Sequence, residues 1–85
     1  MYYVYLIESA IDKSWYIGST SNLRERINQH NEGGGGRTTR LKLPWKFIYG
    51  EIYLNKADAL GREKFLKSGS GRKYLKKQLK NYLGG

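Results

Sequence analysis

Two tyrosine-bearing runs, Tyr3-Val4-Tyr5 and Tyr16-Ile17-Gly18, constrain this chain more than any other feature. Each lies in a short stretch rich in aromatic and β-branched residues, which fit the pleated surface of a strand. Tyr2–Glu8 therefore reads as one strand and Ser14–Ser19 as a second. Alternation sorts the first into Val4 and Leu6 on one face and Tyr3, Tyr5 and Ile7 on the other. In the second, Trp15 and Ile17 oppose Tyr16 and Gly18. The polar stretch Ser9–Lys13 between them makes a hairpin. It has no Asn-Gly or Asp-Gly pair, so the turn does not fix the register.

The rest of the chain follows from helix punctuation. Asn22 with Glu25 three positions on predicts a capped helix start, with Leu23 and Ile27 as its apolar stripe. Arg26 and His30, also four apart, lie beside that stripe and point the same way. Gly33–Gly36 ends the helix and opens a loop running through Arg37-Thr38-Thr39-Arg40 to Pro44. Trp45–Leu54 reads as a third strand, with Trp45, Phe47 and Tyr49 alternating against Ile48 and Ile52. Asn55 with Asp58 starts a second helix to about Lys67. Ser70 is the expected cap of a last helix through Leu83, with Leu75, Leu79 and Leu83 as its stripe. The expected fold is α+β: a small three-stranded antiparallel sheet flanked by helices, in the order β-β-α-β-α-α.

A chain of 85 residues suffices for one domain with one modest core, expected to span residues 1–85. Its 16 basic and 7 acidic residues leave a formal charge of +9. Such a surface suits a polyanion, nucleic acid before an anionic membrane. The absence of cysteine excludes disulfides, cysteine-ligated zinc and a thiol nucleophile, and fits a cytoplasmic protein. No basic segment followed by an apolar one opens the chain, and no apolar run is long enough for a membrane span, so neither a leader nor a membrane partner is expected.

Several residues could carry chemistry, and each has a plain alternative. Glu63 borders the apolar stripe formed by Ala59, Leu60 and Leu66, where a carboxylate is costly unless it is paired or holds a metal. Its plain role is an ion pair with Lys67, four residues on. His30 is the one histidine, too few for a histidine-built zinc site, and packing or capping would explain it. Arg26 could be solvated surface charge, and Tyr5 and Tyr16 could be strand aromatics among eight tyrosines. Gly69-Ser70-Gly71-Arg72 lacks the phosphate-loop pattern, and a helix stop followed by a start accounts for it. Free N–H groups there could still hold a backbone phosphate together with Arg72.

Taken together, the set is specific. Tyr3-Val4-Tyr5, ten residues, Tyr16-Ile17-Gly18, then Leu23-x-x-Arg26-x-x-x-His30-Asn31 and Glu63 in a later helix resembles the GIY-YIG nuclease domain. Pro44-Trp45, Glu51 and Ala59-x-x-x-Glu63-x-x-x-Lys67 are similar to its short, single-domain prokaryotic members. The first motif reads Tyr-Val-Tyr in place of Gly-Ile-Tyr. Gly69–Gln78 holds none of the asparagine found after the metal glutamate in many members. Gln78 or the glycine-loop backbone would have to replace it.

The resemblance implies a metal-dependent DNA endonuclease, cleaving phosphodiester bonds in repair, recombination or processing. One divalent ion, Mg²⁺ or Mn²⁺, would be held by Glu63. Tyr5, Tyr16, Arg26 and His30 would complete the catalytic set. In those roles Arg26 would meet charge on the phosphoryl oxygens. Tyr5 would orient or deprotonate the attacking water with His30 as proton acceptor, its pKa of about 10 lowered by a nearby cation such as Arg26. The alternative is a nucleic-acid-binding module of the same fold with little or no activity. Arg24, Arg37, Arg40, Lys42, Arg62, Arg72 and Lys73 are the candidates for the DNA face. RNA stays open as a partner. No separate reading element is present, so low sequence specificity is expected. A monomer with one site would need a dimer, a second encounter or a partner protein to cut both strands.

Overall fold

The computed structural model describes residues 1–34 and 40–84. Tyr2–Ser9 forms strand β1, Trp15–Thr20 β2 and Trp45–Tyr53 β3. They make one antiparallel sheet in the order β2-β1-β3. The central strand is also the most apolar, and Val4 through Ser9 are all buried. Its two faces feed two cores. Val4 and Leu6 join Ile17, Ala59, Leu66 and Leu75 on one side. Tyr5 and Ile7 join Trp45 on the other, with Leu23 and Ile27 packed over them. The alternation expected for β1 and β2 is therefore what separates the two cores. Each fully buried aliphatic side chain stabilises the fold by about 1.5–3 kcal/mol.

Helix α1, Leu23–Asn31, covers the Tyr5 side. Asn22 caps it, its side-chain oxygen accepting from the Glu25 amide at 3.1 Å. It stops at Gly33, whose φ of +85° is left-handed backbone that favours glycine. Helices α2, Lys56–Leu66, and α3, Gly69–Gln78, cover the Val4 side, and a short α4, Lys80–Gly84, follows. Asn55 caps α2 through the Ala57 amide.

Three expectations are corrected. β3 does not alternate strictly: Leu6 pairs with Tyr49 but Ile7 with Phe47, so Ile48 is an extra residue. The bulge turns Tyr49 away from Trp45 and Phe47, and both Ile48 and Tyr49 pack on the Val4 core. The cap of α3 is Ser68, which accepts from the Gly71 amide, not Ser70, which lies inside the helix. The final helix is two helices, broken at Leu79. Leu75 is buried and Leu79 half-buried, but Leu83 is exposed and leaves the stripe. After the break Tyr82, itself exposed, donates its hydroxyl to Glu8 at 2.6 Å.

The bulge also puts Tyr49, Glu51 and Tyr53 on one face. Both tyrosine hydroxyls donate to the Glu51 carboxylate, at 2.6 and 2.8 Å. Arg62 from α2 binds it bidentately, Nε at 2.9 Å and Nη2 at 3.1 Å. That guanidinium also lies 4.6 Å from the Tyr74 ring centre. The arrangement ties α2 to β3 one residue before Glu63. Among the described residues no helix is long and apolar enough to cross a membrane.

Candidate active site

The register pairs Tyr5 with Gly18 across β1 and β2, so the phenol ring lies directly over the glycine. A Cβ at position 18 would stand 2.5 Å from the Tyr5 hydroxyl. The glycine of Tyr16-Ile17-Gly18 is thus the space into which Tyr5 fits. From there the hydroxyl reaches His30 on α1, with its oxygen 2.9 Å from Nε2. Tyr16 completes an aromatic cluster, stacked on Tyr5 at 6.3 Å and edge-on to His30 at 4.7 Å between ring centres.

His30 is fully buried, and among the described residues its Nδ1 meets no hydrogen-bond partner. Asn31, the next residue, holds both backbone groups of Trp45, accepting from its N–H at 2.6 Å and donating to its C=O at 3.1 Å. The end of α1 is thereby fastened to the start of β3, which fixes the imidazole over the sheet. Burial, reinforced by the Arg26 charge, pushes the His30 pKa down, so the ring is neutral at pH 7.

Burial has the opposite effect on Tyr5. It pushes the phenol well above its ordinary value, Tyr16 and Glu63 add to the rise, and Arg26 opposes it. The expected lowering by a neighbouring cation is present but outweighed. The net shift is a correction to the sequence reading: this phenol does not ionise by itself near neutral pH. It can give up its proton only in concert with its hydrogen-bonded imidazole.

Arg26 is half-buried on α1, and its charge acts on both Tyr5 and His30. Among the described residues no carboxylate pairs with it. It lines a cavity of about 230 Å³ with Tyr2, Ser19, Thr20, Lys56 and Ala59. Glu63 comes to this region from α2 on the other side of the sheet. Ser19 donates to its Oε1 at 2.5 Å, and Lys67 pairs with its Oε2 at 2.7 Å. Burial works against the charge of Glu63, but the bonds from Lys67 and Ser19 win and hold the carboxyl below its usual range. The ion pair expected with Lys67 is therefore present. Ser19, which the sequence reading missed, is equally part of the arrangement. Its place two residues after Ile17, on the same strand face, was its one sequence signal.

Tyr5, Tyr16, Arg26 and His30 thus share the α1 side, and Glu63 reaches the same neighbourhood over the edge of β2. The basic residues named for a DNA face are scattered. Arg24 is exposed on α1, Arg40 is exposed, and Arg72 and Lys73 are exposed on α3. Lys42 is committed to Asp12 at 3.2 Å and Ser14 at 3.1 Å, and Arg62 to Glu51. Arg37 lies outside the described residues. Among the described residues no group of three His, Cys, Asp or Glu side chains could hold a metal ion. Any ion here would rest on the lone carboxylate of Glu63.

Comparison with known proteins gives the family. The GIY-YIG catalytic domain matches residues 1–80. A UPF0213 protein of Clostridium perfringens is 43% identical over 67 residues, 79% of this chain and 71% of that protein. A UPF0213 protein of Staphylococcus saprophyticus is 35% identical over 75 residues, 88% of this chain and 90% of that protein. The solution NMR structure of a UPF0213 protein from Bacillus halodurans is 36% identical, covering all of this chain and 88% of that one, with a TM-score of 0.55. With the motif tyrosines, the histidine and the glutamate in one neighbourhood of a β2-β1-β3 sheet, this chain belongs to the GIY-YIG catalytic domain family, a family of nucleases.

Proposed function

We propose that this protein is a cytoplasmic, metal-dependent DNA endonuclease of low sequence specificity, a single nuclease domain acting in repair, recombination or processing. The observation that carries the reading is the buried hydrogen bond between Tyr5 and a neutral His30 beside Arg26, which pairs with no carboxylate among the described residues. A purely structural hairpin has no need of it.

The donor set fits a hard divalent ion. A single ionised carboxylate leaves most ligand positions to water and phosphate, which suits Mg²⁺ or Mn²⁺ and not a closed zinc site. Glu63 would hold the ion, and the ion would supply Lewis-acid neutralisation of charge on the scissile phosphate.

The protein's own groups account for the rest. Water attacks phosphorus as the Tyr5 oxygen takes its proton and Tyr5 passes its own proton to His30 Nε2, a step that requires substrate binding to uncover the phenol, which is 1% exposed. The phosphorus–oxygen bond on the far side breaks, and that oxygen is protonated from solvent. Arg26 stabilises the charge that builds on the phosphoryl oxygens, a kind of contact worth about 10²–10³ in rate. Tyr16 keeps the phenol and imidazole in register by packing on both. Cutting both strands would take a dimer, a second encounter or a partner protein.

A second reading, a nucleic-acid-binding module with little activity, also has an observation behind it. Lys67 already neutralises Glu63, and a metal must compete with it. One experiment separates the two: branched, nicked and plain duplex DNA are incubated with Mg²⁺ or Mn²⁺ and wild type, Glu63→Ala or Arg26→Ala protein. Cleavage lost at least about 100-fold in both variants carries the nuclease reading. Cleavage at equal rate in all three would falsify it, and binding without cleavage in either metal leaves the module.

A further inference from the structure

A cavity of about 710 Å³ opens at the other end of β2 from Glu63. Lys13 in the hairpin turn, Trp15 on β2, Arg72 and Lys76 on α3, and Tyr82 on α4 line it with Glu8. Glu8 is nearly buried, and both its oxygens are taken, one by the Trp15 indole N–H at 3.1 Å and one by the Tyr82 hydroxyl at 2.6 Å. The acid is thus spent on building the cavity, while its three cations are not. Among the described residues none of them is in an ion pair. Arg72 lies 5.8 Å above the Trp15 ring centre, and Lys46 lies 5.5 Å from that of Tyr82. One face of each ring already carries a cation, so the cavity is equipped for phosphate more than for a stacked base.

Lys13 provides an independent observation. Its φ is +63°, left-handed backbone that a lysine adopts at a cost and a glycine adopts freely. The turn enforces that conformation. The Lys13 amide donates to the Ser9 carbonyl at 3.0 Å, Ser9 Oγ accepts from the Ile11 amide at 3.0 Å, and Asp12 accepts from the Ser14 amide at 3.0 Å. Folding alone would be better served by glycine. What lysine adds is a positive charge on the cavity wall.

We propose that this cavity is a phosphate-binding subsite for the DNA strand that flanks the cut, with Lys13, Arg72 and Lys76 as its cations. The proposal rests on the nuclease reading and adds where the substrate runs. Trp15, Ile17 and Ser19 share one face of β2, so Arg72 above Trp15 and Glu63 on Ser19 stand along one edge strand. Four residues of strand span about 13 Å, or about four nucleotides at ~3.4 Å rise each. A strand laid along β2 would reach both places at once, and contact to phosphate alone makes the subsite indifferent to sequence.

The test uses Lys13→Gly and the double variant Arg72→Gln, Lys76→Gln. Fluorescence anisotropy of a fluorescein-labelled duplex is read over a salt series, and cleavage of the same duplex in parallel. Affinity is expected to fall about fivefold per cation removed, and the salt slope by about one per cation. KM for cleavage rises with Kd. Lys13→Gly should bind more weakly while melting at a higher temperature, a combination that damage to the fold cannot produce. Unchanged affinity and slope in both variants, with wild type still cleaving, overturn the subsite and leave the nuclease reading intact. Wild type that binds without cleaving, with weakened variants, sinks the nuclease reading but keeps the phosphate site. Wild type that neither binds nor cleaves overturns both.

Discussion

Replacing Gly18 with alanine puts the smallest possible side chain where the Tyr5 ring now lies. The added Cβ would be 2.5 Å from the phenol oxygen and 2.6 Å from Cζ, far inside van der Waals contact. Tyr5 cannot swing to solvent, because it is 1% exposed and stacked on Tyr16. It must push into the core or back away from His30. Overpacking of this kind costs about 1–3 kcal/mol, and losing the phenol–imidazole hydrogen bond adds about 1 kcal/mol. The total, about 2–4 kcal/mol, lowers the melting temperature of a domain this size by at least about 8 °C. The same substitution at Gly61, inside α2 with nothing within 4 Å, meets no such obstacle. There alanine gains helix propensity and stabilises by about 0.5–1 kcal/mol. Thermal and urea denaturation of the two variants beside wild type make the measurement. A Gly18→Ala protein melting within about 2 °C of wild type, or two variants shifted in the same direction, would refute the claim that this glycine exists to seat Tyr5.

His30 gives a pH signature with a definite sign. Its pKa is depressed by burial and by Arg26, so the stability it contributes is fully present above about pH 6.5 and is lost as pH falls through the folded value. The acid limb of kcat/KM for DNA cleavage should therefore lie below pH 6.5, and an acid limb above it would contradict a buried neutral imidazole. Arg62→Ala should cost about 3 kcal/mol in urea denaturation, because Glu51, whose side chain is 15% exposed, keeps its two tyrosine hydroxyls but loses its counter-charge. A loss below about 0.5 kcal/mol would mean that the pair does not fasten α2. Lys67→Ala removes the cation competing for Glu63, and titration of cleavage against Mg²⁺ should show half-maximal activity at about twofold lower metal. A higher requirement would assign Lys67 to the substrate instead.

What could be read from the sequence was local. Strand alternation in β1 and β2, the Asn22 and Asn55 caps and the Glu63–Lys67 spacing each depend on residues within one turn or one pleat of each other. Apart from the cap of α3, which Ser68 takes from Ser70 within a single turn, the misreadings are non-local in cause. Ile48 bulges because β3 must pair with β1 and still place Tyr49 and Glu51 against α2. The last helix breaks at Leu79 where Tyr82 finds Glu8, 74 residues away. Tyr5 titrates high because burial outweighs Arg26, and depth of burial is a property of the whole sheet.

The same distinction governs the candidate site. Tyr5, Tyr16 and His30 belong to the core under α1, while Ser19 and Glu63 belong to the face under α2. A sheet separates these groups everywhere except at its margin. β2 is an edge strand in the order β2-β1-β3, and it carries Ser19 on the Glu63 face and Tyr16 on the Tyr5–His30 face. A phosphate that approaches along that edge comes to both faces at once. An unpaired strand edge is ordinarily a liability that invites association with other chains. Here Arg26 and Ser19, which holds Glu63, line one cavity beside β2, and covering that edge with a helix or a fourth strand would close it.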